Sequence, residues 1–493
     1  MNLVQSVDWV AIAAPTIAAL AGLALLVADL FVPESRKHLL GWGAVAGLAA
    51  AALSLLPLVG DHRATFCLTD TPDVCSYRAD GFTLVVQLLV FGGALLTALL
   101  SISDVKETRL PEGEFWFLLL SSVAGAALLP AARDFATLII ALEVASLPAF
   151  ALVGLRRGDR LSAEAALKFF LSSVIATAVA LLGVSFVYAA SGSLHFDVVG
   201  EALAQTDPQL RTLAQAGVAL TLVGFAFKTA AVPFHFWVPD TYVGAPVPVA
   251  AYLSVVGKAV GFTGLILVTL LAFPGYADVW GPVMAVLAAL TMTVGNVAAL
   301  RQRADAPHSA VRLLAWSSVA QAGYLLVPIA AAGYADDPSR AVGSTLSYAL
   351  MYAVVNLGAF AVVAATGQRR IADMRGLYAA HPLTALALAF FLINLAGLPP
   401  GIIGLFAKVA VLGTAVDAGL GWLAVVMAVN VVVGLYYYLR WTAQLFREPE
   451  GERAVAVRAP AVLRVATALA GVLAVALSGA PQLILKFADQ ALL

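Results

Sequence analysis

Charge is what this sequence has least of. Asp, Glu, Lys and Arg make up 12% of its 493 residues, against about 25% in a soluble globular protein. Apolar residues make up 62%. A soluble fold of this size needs far more charge to cover such a core, so the chain reads as a polytopic membrane protein. Cysteine is nearly absent, with Cys67 and Cys75 the sole pair. An iron–sulfur cluster takes about four thiolates, so none is expected on this chain. Glycine-rich dinucleotide motifs and Walker-type phosphate loops are also missing, which sends any redox chemistry elsewhere. The net charge of −1 gives nucleic acid nothing to bind. Met1 to Val10 contains no Lys or Arg. A signal peptide needs a positive n-region, so the first apolar run reads as a retained span.

What the sequence has is long apolar runs. A membrane-spanning helix takes about 20 such residues. Fourteen runs qualify, at roughly 9–31, 39–59, 82–103, 114–132, 135–154, 163–190, 212–239, 246–272, 277–299, 311–332, 342–366, 382–415, 420–446 and 461–480. The expected fold is all-α, with about 14 transmembrane helices. Of the 28 Lys and Arg residues, eighteen fall in one alternating set of loops and six in the other. By the positive-inside rule the richer set is cytoplasmic, which puts both termini outside the cytoplasm. The loop holding Cys67 and Cys75 then faces the oxidising side. A disulfide and two dispensable thiols are both open readings there.

Four lysines remain, all inside spans: Lys168, Lys228, Lys258 and Lys408. An ionisable group at membrane depth is costly and marks function by default. Lys228, Lys258 and Lys408 lie too deep for easy snorkelling. Lys168 sits near a span end, four residues after Glu164, so a snorkelled ion pair competes with a functional role. Glu143 is the one carboxylate well inside a span and needs a partner; a lysine is the obvious one. His235 lies in the proline-broken stretch 232–240. It either relays protons near neutral pH or caps freed carbonyls. Asp240, at the membrane edge, is expected to cap or orient the same break.

Two spans are interrupted. The seventh carries Pro233 and Pro239, and the twelfth carries Gly397-Leu398-Pro399-Pro400-Gly401. Proline removes a backbone donor and ends or kinks a helix. Paired interruptions at matching positions point to a transport site and an inverted repeat. The two are five spans apart, and five is odd, so two five-span units would have opposite topology. Spans 4–8 (residues 111–273) and 9–13 (274–447) would be the inverted half-channels. A three-helix segment (1–110) would precede them and a C-terminal helix (448–493) would follow.

These residues carry a resemblance. The stretch Phe227-Lys228 through Val232-Pro233-Phe234-His235-Phe236-Trp237-Val238-Pro239-Asp240 resembles a signature of the antiporter-like, proton-pumping membrane subunits of respiratory complex I. These are related to the multisubunit sodium/proton antiporters. Gly257-Lys258, Arg312-Leu313-Leu314-Ala315-Trp316-Ser317-Ser318 and Gly397-Leu398-Pro399-Pro400 with Ala407-Lys408 agree. The pattern is nearest the subunit N type of NADH-quinone oxidoreductase. Lys408 stands where the M type usually has glutamate, and the long lateral helix of the L type does not follow.

The resemblance implies a Glu143–Lys228 ion pair, Lys258 as central relay and Lys408 as the second proton site. It implies no cofactor on this chain, with FMN, iron–sulfur clusters and quinone on partner subunits. The partners would be other membrane subunits of complex I, within the lipid bilayer of a bacterial cell membrane. The family often has Tyr then His where this chain has Trp316 and Gln321. Glutamine cannot titrate, so a relay there needs water. A sodium/proton antiporter subunit is the competing reading. A solute transporter with an anionic substrate lacks any extra intramembrane arginine to bind it.

Overall fold

The computed structural model describes residues 7–448 and 460–489. Arg453 and Arg458, counted among the loop charges, lie outside the described residues. The rest is nearly all helix. In hydrocarbon every backbone N–H and C=O must find a partner within the protein, and an apolar run satisfies them by coiling. Among the described residues, eleven helices are long and apolar enough to cross a membrane. The other three expected spans are helical too. Ala13–Asp29 is shorter, at 17 residues. The remaining two are the interrupted ones, Arg211–Lys228 with Trp237–Gly244, and Pro382–Ala396 with Ile402–Asp417.

Both interruptions sit where the sequence placed them, and both contain a cis X–Pro peptide, Val232–Pro233 and Pro399–Pro400. Pro239 does not take part in the first break. It lies in the opening turn of Trp237–Gly244, where the missing proline N–H costs no helical hydrogen bond. At the second break Gly397 has φ +82°, a conformation that favours glycine. At the first break another helix closes in. A Cβ on Gly261 would lie 2.6 Å from the Lys228 carbonyl carbon, so the absence of a side chain there lets Lys258–Leu267 run against the end of Arg211–Lys228.

One further irregularity was not expected from the sequence. The run 247–272 is not a uniform α-helix. It widens into π turns at Leu253–Gly257 and Val268–Ala272, and the first ends directly before Lys258. Such widened turns collect at functional sites.

Among the described residues the one strand pair is a small hairpin between the second and third spans. Arg63–Cys67 pairs antiparallel with Cys75–Ala79, with Cys67 opposite Cys75. The two cysteines form a disulfide, which decides between the two readings left open. Arg133 anchors the hairpin to the bundle: its guanidinium pairs with Asp80, and its N–H donates to the Ser76 carbonyl at 2.9 Å.

Candidate functional site

Three lysines are buried inside the bundle, with 7%, 2% and 4% of Lys228, Lys258 and Lys408 exposed. None has a carboxylate within ion-pair distance among the described residues. Their ammonium groups bond instead to hydroxyls and main-chain carbonyls.

Lys228 is the last residue of the helix before the first break. Its Nζ donates to Ser146 Oγ and Ser173 Oγ, each at 2.7 Å. Glu143 is not in direct contact with it, contrary to the expected ion pair. Its carboxylate accepts from Thr177 Oγ1 at 2.8 Å. The physical reason is helical spacing. Glu143 and Ser146 lie three apart on Phe135–Val153, and Ser173 and Thr177 four apart on Arg160–Ser191. Such pairs share a helix face one turn apart. Lys228 occupies the serine tier and Glu143 the threonine tier.

A cavity of about 30 Å³ separates Lys228 from Tyr252 and Val256. One water fits in about 10–15 Å³ of such space. Tyr252 donates to Ser122 Oγ at 2.8 Å across the same region.

Lys258 donates to the Ser318 main-chain carbonyl. Tyr352 donates to Ser318 Oγ at 2.9 Å, and the Tyr242 hydroxyl lies 3.4 Å from that atom. The adjacent Ser317 shares a hydrogen bond with the Tyr438 hydroxyl at 2.5 Å. Gln321 joins the next pair: it accepts from the Tyr348 hydroxyl and donates to the Tyr438 hydroxyl at 3.2 Å. The glutamine that departs from the family pattern is thus a hydrogen-bond hub in direct contact with two tyrosines.

Lys408 lies on the far side of its break, in Ile402–Asp417, but reaches back across it. Its Nζ donates to the carbonyls of Leu395 and Ala396 at 2.7 and 2.8 Å. Those carbonyls end the preceding half-helix, whose C-terminus is the negative end of its dipole. The Tyr324 ring lies 5.3 Å from the ammonium. Tyr324 in turn accepts from Asn296 at 3.0 Å, which also bonds Asn430.

The remaining expected residues lie apart from this thread. Lys168 is 47% exposed and pairs with Glu164 at 2.7 Å, as its spacing suggests. It also pairs with Asp240 at 2.8 Å, and Arg312 approaches Asp240 at 3.8 Å. Asp240 therefore does not cap the half-helix Trp237–Gly244. It ties that half-helix to two neighbours. His235 is half-buried in the break, its ring 5.6 Å from Trp316. No group of His, Cys, Asp and Glu able to hold a metal ion occurs among the described residues.

Sequence reasoning missed Ser146, Ser173, Thr177, Tyr252, Ser317, Ser318, Tyr348, Tyr352 and Tyr438. A signal exists for several. Polar residues recur three or four apart inside otherwise apolar runs, as at Glu143/Ser146, Ser173/Thr177, Ser317/Gln321 and Tyr348/Tyr352/Asn356, and this spacing marks one helix face.

Residues 132–434 match the transmembrane family described as NADH:quinone oxidoreductase/Mrp antiporter. NADH-quinone oxidoreductase subunit N 2 of Streptomyces griseus is 66% identical, over 100% of this chain and 95% of the relative. Subunit N of Salinispora tropica is 45% identical, over 90% of this chain and 86% of the relative. A chain of respiratory complex I from Thermus thermophilus superposes with a TM-score of 0.79 at 34% identity, covering 96% of this chain and 98% of that one. A chain of the Mrp complex from Dietzia shares the fold, with a TM-score of 0.82 at 22% identity over 97% of this chain and 96% of that one. The chain belongs to the NADH:quinone oxidoreductase/Mrp antiporter transmembrane family, and within it to the NADH-quinone oxidoreductase subunit N proteins.

Proposed function

We propose that this chain is a proton-translocating membrane subunit of NADH-quinone oxidoreductase, a translocase working within respiratory complex I beside antiporter-like and small membrane subunits. Electron transfer through FMN, iron–sulfur clusters and quinone occurs on partner subunits and supplies the energy. The observation that carries this reading is the row of three buried ammonium groups, each beside a helix irregularity. A charged side chain at membrane depth costs about 3 kcal/mol even on the lenient insertion scale, which a purely structural helix bundle has no reason to bear three times.

The topology that goes with it has fourteen crossings, both termini outside the cytoplasm, and inverted half-channels at 111–273 and 274–447. The two interrupted helices, five spans apart, and the lysine beside each break support it.

In the mechanism, the Lys228 ammonium rests among serine oxygens while Glu143 waits one turn away on Thr177. Turning Glu143 toward Ser146 sets a carboxylate beside the ammonium. Unit charges 4 Å apart interact by about 4 kcal/mol at an effective dielectric near 20. Moving one charge against roughly 180 mV costs about 4 kcal/mol. One carboxylate movement is therefore the right size to drive one proton uphill. The disturbance passes through the cavity toward Tyr252 and Lys258, then along Ser318, Ser317, Tyr438 and Gln321 to Lys408. Gln321 orients the tyrosines, and water and hydroxyls carry the protons.

The competing reading, a sodium/proton antiporter subunit, uses the same fold. Purification in mild detergent separates the two. Co-isolation with flavin and iron–sulfur subunits supports the redox-driven pump. Isolation with small membrane subunits alone supports the antiporter.

A further inference from the structure

A second polar feature lies at the end of the bundle that carries the arginine-rich loops. A pocket of about 550 Å³ opens there between the loop after Gly81–Glu107 and the loop after Phe135–Val153. Arg109, Arg156 and Arg157 line it, together with Glu34 and Asp159.

Both carboxylates are already engaged. Glu34 pairs with Lys37 at 3.3 Å. Asp159 caps the next helix, accepting from the N–H groups of Leu161 and Ser162 at 2.9 and 3.4 Å. The arginines are not. Among the described residues, the one ion pair of Arg156 is a long 3.9 Å contact with Asp104, and its Nε is buried with no partner. Arg109 and Arg157 make no ion pair there at all. The pocket is lined by three arginines and two carboxylates, an excess of positive charge, and among the described residues only Arg156 has an ion pair, the long contact with Asp104.

The chain segments next to the pocket's lining residues expose apolar side chains. Leu30 and Phe31, just before Glu34, are 79% and 81% exposed. Exposed apolar side chains continue down both adjoining helices, with Leu23 and Val27 on Ala13–Asp29, and Leu167 and Leu171 on Arg160–Ser191. A guanidinium presents a planar fork of N–H groups that matches phosphate oxygens, and basic pockets at a membrane surface draw anionic headgroups.

We propose that this pocket holds the phosphate of an anionic phospholipid whose acyl chains lie along those apolar helix faces. The exposed apolar side chains favour a lipid over a free phosphate ion. The assignment does not rest on the proton-transfer reading, and it holds whichever membrane face the pocket occupies.

The test titrates the full chain in mild detergent with dioleoylphosphatidylglycerol and, separately, dioleoylphosphatidylcholine, counting lipid adducts by native mass spectrometry. Phosphatidylglycerol should bind at least about tenfold more tightly, and Arg109→Gln with Arg157→Gln should weaken it roughly fivefold for each arginine lost. Binding of phosphatidylcholine should not change. Arg157→Lys keeps the charge and should retain most of the preference. Arg211→Gln, an exposed arginine far along the chain from the pocket, serves as a control and should have no effect. An unchanged preference in the double variant overturns the proposal. So does full displacement of the lipid by excess inorganic phosphate, which would mark a soluble-anion site. If the lipid binds the lone chain but not the assembled complex, the pocket seats an acidic segment of a partner and the lipid assignment falls.

Discussion

Lys408 and Gln321 converge on one acceptor, the main-chain carbonyl of Leu395, at 2.7 and 3.5 Å. That carbonyl lies in the last turn before the second helix break. A lysine from beyond the break and a glutamine from Ser309–Ala332 are thereby held against the same buried backbone carbonyl. The break is thus the place where the buried lysine meets the tyrosine-rich thread.

Gln321→Leu should therefore uncouple the second half of the thread while leaving Lys408 in place. It strips partners from the Tyr348 and Tyr438 hydroxyls, and an unsatisfied buried polar group costs about 1–3 kcal/mol. In membrane vesicles, acidification per NADH oxidised should fall. An unaltered proton yield from fully assembled complex would show that the glutamine only fills space.

The serine tier around Lys228 gives a second expectation. Ser146→Ala and Ser173→Ala each remove one acceptor from a buried ammonium, and hydrogen bonds to charged groups are worth about 1.5–3 kcal/mol. The double variant should lower both thermal stability and pumping more than either single change. Thr177→Ala, which frees Glu143, should alter pumping with less effect on stability. Equal behaviour of all three would contradict the two-tier arrangement.

Gly397→Ala tests the second break directly. At φ +82° a Cβ is strained, and it would lie 2.9 Å from Lys408 Cδ. The strain alone costs about 1–2 kcal/mol. The variant should melt at a lower temperature and pump less. Wild-type melting and pumping would mean that the break tolerates a side chain and that the position of Lys408 does not depend on it.

Much of this was legible in the chain itself. The apolar runs, the two interruptions and the depth of Lys228, Lys258 and Lys408 follow from composition and proline position, because lipid leaves the backbone few alternatives to helix. The direct Glu143–Lys228 pair did not survive. Helical spacing puts the two charges on adjacent turns, and which hydroxyl each selects depends on side-chain rotamers that a one-dimensional reading cannot weigh. Tyrosine, serine and threonine in an apolar run look like ordinary span residues, so the thread from Ser318 to Tyr438 was hidden. The π turn before Lys258 ends on Gly257, but a lone glycine in an apolar run does not announce a widened turn. The hairpin at Arg63–Cys67 was too short for its alternation to stand out.

Asp240→Asn separates anchoring from folding. Asp240 and Lys168 are 40% and 47% exposed, and exposed pairs contribute about 0–1 kcal/mol. Stability should hardly change. Pumping should fall and become less sensitive to salt, because the half-helix Trp237–Gly244 loses its tie to Arg160–Ser191. A large drop in stability would make the cluster a structural clamp instead.

The disulfide offers a check on topology. In intact cells, a membrane-impermeant reductant followed by an impermeant maleimide should label Cys67 and Cys75. Labelling that requires opened cells would reverse the proposed orientation.

The central claim is that buried lysines of this chain carry protons driven by electron transfer in its partners. It is tested most directly by the ratio of protons moved to electrons transferred in assembled complex carrying Lys228→Ala. The account predicts a clear fall in that ratio while the partner subunits remain bound and NADH oxidation by the flavin subunit persists. An unchanged ratio in the intact complex would contradict it.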